Sequence, residues 1–315
     1  MDKIIRCITS DGAVMASAID TTDIVYKASL IHKTTPVASA ALGRLLTATS
    51  MMGAMLKSKD ASINLRVSGD GPLGPVIAVA DSSGNVKGYV SNASCPTTHY
   101  ENGKLNVAEA VGKNGVLNVM RDLGTGEPYI GQIELVSGEI AEDIAAYYAQ
   151  SEQIPTVCAL GVLIDKETSE VLLSGGLLIQ LLPGAFEDTI EKLEKNISEL
   201  DSVTTMLAKG MSTLDMCKEA LKGFEVEVLD EFEVKYVCGC SKEKIGSLIE
   251  SMPKEEIEDM IEKDNGAKAN CHFCNKTFEF TKSDLQAILK KKNKKSEKKL
   301  SLVEKPKQSG IIASV

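Results

Sequence analysis

Cys238-Gly239-Cys240 and, after 30 intervening residues, Cys271-His272-Phe273-Cys274 place two close cysteine pairs near the end of a 315-residue chain. Four soft thiolates at this spacing suit one tetrahedral zinc ion, with Zn–S bonds of about 2.3 Å. Gly239 lets the backbone bend between two ligands only two residues apart. Strand-like flanks at 232–237, 267–270 and 277–280 predict a ribbon-like module with its ligands on the turns. Such a module is too small to build much of a core, and chains of this size lean on a metal or another staple.

Three alternatives stand beside that reading. An iron–sulfur cluster uses the same donors, but the spacings fit neither ferredoxin pattern. His272 as a ligand is disfavoured because four thiolates complete the shell. A zinc that is merely structural needs no further chemistry. The C-x-C spacing adds a redox possibility. Zinc-held thiolates are deprotonated and oxidisable, and each has a neighbour two or three residues away that can resolve a sulfenic acid. Disulfides in such small rings tend to be strained and labile.

On the N-terminal side of the pairs, Ile190, Leu193, Ile197 and Leu200 recur at helical spacing, and Met206, Leu214, Met216 and Leu221 continue a thin apolar stripe. Residues 185–230 therefore read as a helical, metastable linker. Residues 1–184 read as an α+β domain of antiparallel strands and a few helices. Strands are predicted at 11–19, 62–67, 76–80, 85–90, 115–121, 129–136, 156–164 and 176–182, and helices at 22–32, 36–57 and 141–150. Pro36 sits at the start of the longest helix, where its missing N–H costs nothing. The uncharged stretch 171–186 is too short and too rich in glycine for a membrane helix and reads as two short strands. The cysteine module covers 231–290, and the Lys-rich tail 291–315 is expected to be disordered.

The net charge is −9. It is distributed as −6 over residues 1–180, −7 over 181–237, −3 over 238–284 and +7 over 285–315. An acidic body argues against a general nucleic-acid footprint, although the basic tail leaves a nucleic-acid-binding zinc ribbon as the competing function. No apolar signal segment is evident, since Asp2, Lys3, Arg6 and Asp11 interrupt the first residues; a cytoplasmic protein is expected. In that compartment eight cysteines point to metal or redox chemistry, not to a static disulfide framework. Cys7, Cys95, Cys158 and Cys217 stand alone in sequence and read as buried inert thiols. Gly69-Asp70-Gly71-Pro72-Leu73-Gly74 matches a dinucleotide fingerprint by letter, but the residues that follow read as strand, so the glycines make a turn. With three histidines, no phosphate-binding GxxxxGK[ST] and no convincing catalytic constellation, the chain is not expected to be an enzyme.

Several segments together resemble the redox-regulated holdase chaperones of the heat-shock protein 33 family. They are Gly69–Pro72, the run from Tyr148 through Ser151-Glu152-Gln153 to Thr156, and Gly175-Gly176-Leu177-Leu178-Ile179-Gln180. The C-x-C followed by Ser241-Lys242-Glu243, and the C-x-x-C with Phe278 and Phe280 after it, complete the match over about residues 1–290. The resemblance implies an N-terminal α+β domain, a helical linker and a C-terminal zinc domain with one Zn2+ on Cys238, Cys240, Cys271 and Cys274. It implies that oxidation pairs Cys238 with Cys240 and Cys271 with Cys274, releases the zinc and unfolds the linker. Unfolding client proteins are then held without ATP, by a chain that dimerises when activated.

Overall fold

The computed structural model describes residues 1–303, with side chains to Asn293. The chain divides into two compact units that meet at the Cys238–Gly239 peptide.

The first unit is built on two five-stranded antiparallel sheets. One has the order β10-β1-β2-β9-β8, from Val226–Glu233, Lys3–Thr9, Val14–Asp20, Val171–Leu181 and Thr156–Ile164. The other has the order β5-β4-β3-β6-β7, from Val86–Val90, Val76–Asp81, Ser62–Ser68, Val116–Asp122 and Tyr129–Glu134. The second sheet is built from one contiguous stretch of chain, with β6 returning beside β3; the first joins strands from both ends of the unit.

Helix α2 (Pro36–Ala54) lies against strands of both sheets. Of its 19 residues 17 are buried, so it has no polar face and must be covered all round. Ala, Gly, Ser and Thr dominate the helix and let the strands approach. Its Thr47 hydroxyl pairs with that of Thr21 at 2.7 Å, and Thr21 reaches Ser174 at 3.0 Å, which satisfies buried hydroxyls across the interface. Helix α1 (Thr22–His32) packs beside α2 and on β9. Two short helices, α3 (Val107–Val111) and α4 (Ala141–Tyr147), close the loops. A single π turn, Tyr148–Glu152, extends α4 and ends at Gln153 with φ 57°. There Glu152 pairs with Arg121 and accepts from the Tyr147 hydroxyl at 2.7 Å.

The opposite face of the first sheet is covered by α5 (Glu187–Glu199), α6 (Val203–Ala208) and α7 (Thr213–Ala220). Leu193, Val203, Met206 and Met216 pack on Ile5, Ala16, Leu177 and Ile179. Ser202 and Ser212 cap α6 and α7, accepting from Thr205 N and Asp215 N. The segment expected as a linker over 185–230 therefore lies on the first unit, and its last residues belong to a strand. That strand, β10, crosses the expected boundary at 230/231 and pairs antiparallel with β1. Its acidic residues match the basic ones opposite: Lys3 reaches Glu231 at 3.2 Å, and Arg6 Nε donates to Asp230 at 2.8 Å.

Other expectations need correcting. The stretch 171–186 forms one strand, β9, and not two. Strand β1 was not anticipated. Phe232, Val234 and Tyr236 pack into the first unit, so the strand-like flank at 232–237 is no part of the cysteine module.

The second unit contains α8 (Lys242–Ser251), α9 (Lys254–Glu262), the hairpin β11 (Gly266–Asn270) and β12 (Thr277–Thr281), and α10 (Lys282–Val303). The Lys-rich run expected to be disordered continues α10 as far as Val303; the remainder, 304–315, lies outside the described residues. Ile249, Ile257, Ile261, Phe280 and Leu285 form a small buried core.

Candidate metal centre

Cys238 follows a firmly held segment. Val86 N donates to Lys235 O and Val237 N to Val86 O, both at 3.0 Å. The Tyr236 hydroxyl donates to Gly88 O at 2.9 Å. On the other side of Gly239, Cys240 leads into Ser241, whose hydroxyl accepts from Lys244 N at 3.2 Å and caps α8. The Lys244 ammonium donates to Gly239 O at 2.7 Å. The start of α8 and this lysine both bring positive potential toward the C-x-C loop.

Cys271 and Cys274 sit on the turn between β11 and β12. Cys271 N donates to Lys276 O at 2.9 Å, and Asn275 N donates back to Cys271 O at 2.8 Å. Asn275 closes the turn at φ 54°, a left-handed conformation that asparagine tolerates. The Cys271/Cys274 pair thus stands on a tight turn stiffened by backbone hydrogen bonds, and the Cys238/Cys240 pair on a short loop held by Lys244.

The four sulfurs lie within 4.8 Å of one another. A zinc ion with four thiolates at about 2.3 Å requires S···S edges of roughly 3.8 Å. Cys240 Sγ and Cys274 Sγ approach to 3.3 Å. Small adjustments on either side of these values complete a tetrahedron, so the donors fit one soft or borderline metal ion. Cys271 is buried and the other three are half-buried. His272 is not a member of the gathered group.

Of the remaining cysteines, Cys95 is buried as the sequence suggests, whereas Cys158 is only half-buried. Burial pushes the thiol of Cys95 up, and that of Cys158 up to about 12. Cys7 and Cys217, which stand alone in sequence, are both fully buried in one apolar cluster of the fold. No sequence signal at either position could have announced this, because the two lie on β1 and α7, far apart along the chain. The Gly69–Gly74 segment joins β3 to β4 and enters a strand, so it is a turn. Among the described residues, no helix is long and apolar enough to cross a membrane.

Comparison with known proteins follows the same outline. The family model described as Hsp33 protein matches residues 2–281. A 33 kDa chaperonin of Clostridioides difficile is 46% identical over 289 residues, covering 92% of this chain and 99% of the relative. Another, from Alkaliphilus metalliredigens, is 44% identical over 287 residues, covering 91% and 98%. The crystal structure of a 33 kDa chaperonin, a heat shock protein 33 homolog from Thermotoga maritima, superposes with a TM-score of 0.84 at 34% identity, over 93% of this chain and 99% of that one. With two sheets around a buried helix, four thiols gathered on two turns, and relatives matched over almost their whole length, the chain belongs to the heat-shock protein 33 (Hsp33) family.

Proposed function

We propose that this chaperone-family chain is an ATP-independent holdase, switched on when its four gathered cysteines are oxidised. The observation that carries the reading is the gathering itself: four thiols within 4.8 Å, three of them in a unit with a core of five buried side chains. Bound zinc would supply a fixed tetrahedral tie between the C-x-C loop and the β11–β12 turn, worth about 10–16 kcal/mol in small structural sites. Cys238, Cys240, Cys271 and Cys274 would hold it as thiolates.

Oxidation by a hydroperoxide converts a thiolate to a sulfenic acid, which a neighbouring thiolate resolves to a disulfide with loss of water or hydroxide. Local pairing, Cys238 with Cys240 and Cys271 with Cys274, is the arrangement the family implies. A disulfide closing so short a loop returns only about 2 kcal/mol on the chain-entropy formula, far less than the donor set held. The second unit should then loosen, and Cys238 transmits the change along the chain to β10.

The surface released next is the one under α5–α7. These helices are acidic outside and cover a continuous apolar face of the first sheet. Both the freed face and the freed helices would offer apolar area to unfolded client segments, without nucleotide. Dimerisation on activation, a cytoplasmic setting and the absence of a catalytic role complete the proposal. The family match favours it over a nucleic-acid-binding ribbon.

The test is light scattering from a heat-denatured client, with reduced and with peroxide-treated protein, alongside a thiol and zinc count. Oxidation should consume four thiols, release one zinc and produce suppression. Amide exchange should rise over 185–230 while Ser62–Ser68 stays protected. Equal suppression by both forms would leave a constitutive chaperone and remove the redox mechanism.

A further inference from the structure

Helix α5 is the least firmly seated of the three that cover the first sheet: of its 13 residues only Thr189 and Leu193 are buried, against four of eight in α7. Two of its polar side chains reach for the end of α7 instead. Lys192 and Asn196 are one turn apart on α5 and so share a face. The Asn196 amide donates to Ala220 O at 3.2 Å and to Lys222 O at 2.9 Å, which uses both of its N–H groups. The Lys192 ammonium donates to Gly223 O and stands 4.2 Å from the centre of the Phe224 ring. A helix end leaves its last carbonyls without partners inside the helix. Here Leu221 N takes Cys217 O at 2.9 Å and Lys222 N takes Glu219 O at 3.3 Å, and Gly223 at φ 78° turns the chain away. The carbonyls of Ala220, Lys222 and Gly223 are served by α5.

We propose that Lys192 and Asn196 are the positioning residues of a clasp, through which loosening of β10 frees α5 from the first sheet. The accepting carbonyls lie on the short connection between α7 and β10, which begins at Val226. That connection is pinned at both ends. Ala220 and Leu221 are fully buried on one side. On the other, Ser10 N donates to Glu225 O at 2.9 Å and Val226 pairs with Thr9. When the β10 end lets go of β1, residues 222 and 223 can rotate, and their carbonyls turn away from the two donors. Hydrogen bonds weaken steeply as their angle closes, so α5 is left with its thin apolar stripe. Helix α7 keeps Met216, Cys217 and Ala220 in the core. The cover therefore opens from α5, and α7 follows.

The clasp's part in activation rests on the proposed function, in which the change at the cysteines travels along β10; the coupling of β10 to α5 does not. Helix propensity separates a clasp from a merely local role. Leucine is a better helix former than asparagine and close to it in size, so Asn196→Leu favours α5 as a helix while removing both donors. Lys192→Met keeps an unbranched stem and removes the ammonium, and Lys192→Arg restores a charged donor.

The experiment follows amide exchange in the reduced, zinc-loaded full chain. In Asn196→Leu, amides over Glu187–Glu199 should exchange at least about threefold faster, the weight of two hydrogen bonds less the gain in helix propensity. Ser62–Ser68 should be unchanged, which reports an intact fold. Lys192→Met, at an exposed position, should act in the same direction, and Lys192→Arg should return the natural rate. Asp230→Ala then loosens β10 away from α5 by removing the partner of Arg6. It should speed α5 exchange at least about twofold in the natural chain and add nothing in the Asn196→Leu background, because the link is already cut. Natural-rate exchange of α5 in both Asn196→Leu and Lys192→Met, or an equal effect of Asp230→Ala in both backgrounds, would overturn the clasp whatever the chaperone assay gives. If exchange responds as stated but client suppression does not respond to oxidation, the clasp stands and the proposed function falls.

Discussion

Gly161→Ala should open the linker without touching the oxidisable cysteines. Gly161 on β8 faces Gly175 on β9, and the pair leaves a notch in which α6 rests on the sheet. A methyl group at 161 would stand 2.7 Å from Thr204 Cγ2, 3.3 Å from Thr204 N and 3.5 Å from Val203 Cβ. All three atoms belong to α6, so relief comes from lifting that helix. At 175 a methyl would also meet Ile19 O at 2.6 Å and strain the sheet itself, which makes 161 the cleaner site. Overpacking of this kind costs about 1–3 kcal/mol. Alanine's advantage over glycine in a strand, about 0.5–1 kcal/mol, is present whether or not α6 is docked and leaves the local effect intact. At 1.4 kcal/mol per decade the opening of α6 should rise roughly 5- to 150-fold. Amide exchange of the reduced protein reads this directly: Val203–Ala208 should speed up by that factor while Ser62–Ser68 is unchanged. The same protein should show partial client suppression before any oxidant is added. A folded Gly161→Ala protein with wild-type exchange in α6 would refute the reasoning.

Cys271→Ser removes the one buried thiol of the cluster and should weaken zinc binding by at least about 100-fold, since even outer-shell changes cost 10–100-fold; competition with a chromogenic chelator measures it. Asp143, fully buried, accepts from Val136 N, Ser137 N and Ile140 N at 2.7, 3.0 and 2.9 Å. Asp143→Ala strands these donors and should lower stability by about 3–5 kcal/mol in urea denaturation, because each unpaired buried group costs about 1–3 kcal/mol. Burial works against the carboxylate of Glu139, but Arg44, the Tyr100 hydroxyl and Ala108 N–H outweigh it and hold the group below its usual 4.5. Being lowered on folding, it stabilises the protein above about pH 4.5, and that contribution is lost as pH falls through the folded value; Glu139→Gln should flatten this acid limb in a stability–pH series.

The cysteine constellation was legible because ligand spacing is local: two turns, each written within four residues. So were β3, β4 and the buried helix α2, whose patterns repeat over short windows. What escaped detection was encoded at long range. Strand β1 is buried on both faces, with Ile4 in one core cluster and Ile5 and Cys7 in the other, so Lys3–Thr9 lacks the alternation that marks a half-buried strand. Strand β10 alternates, but its charged residues suit a solvated connector equally well. Only the Lys3–Glu231 and Arg6–Asp230 pairs, formed across more than 200 residues, show it to be an edge strand. Helices α8 and α9 carried readable signals, Ile245 with Ile249 and Ile257 with Ile261 at four-residue spacing, beside cysteines that drew the reading elsewhere. The burial of Cys7 and Cys217 in one cluster had no local trace at all.

The strand order β10-β1-β2-β9-β8 also governs how the molecule can be made. During synthesis residues 3–20 emerge first, yet their sheet neighbours are encoded at 156–181 and 226–233, with the whole second sheet translated in between. The sheet of Ser62–Glu134 draws all its strands from one stretch and can close as it leaves the ribosome. The hairpin of the first two strands must wait for its outer partners, β9 and β10, and the last of these arrives only a few residues before Cys238. A nascent chain halted near residue 200 would carry an unpaired β1 edge and a half-covered apolar face. A member of a chaperone family is thus, for most of its own translation, an unfinished chain itself.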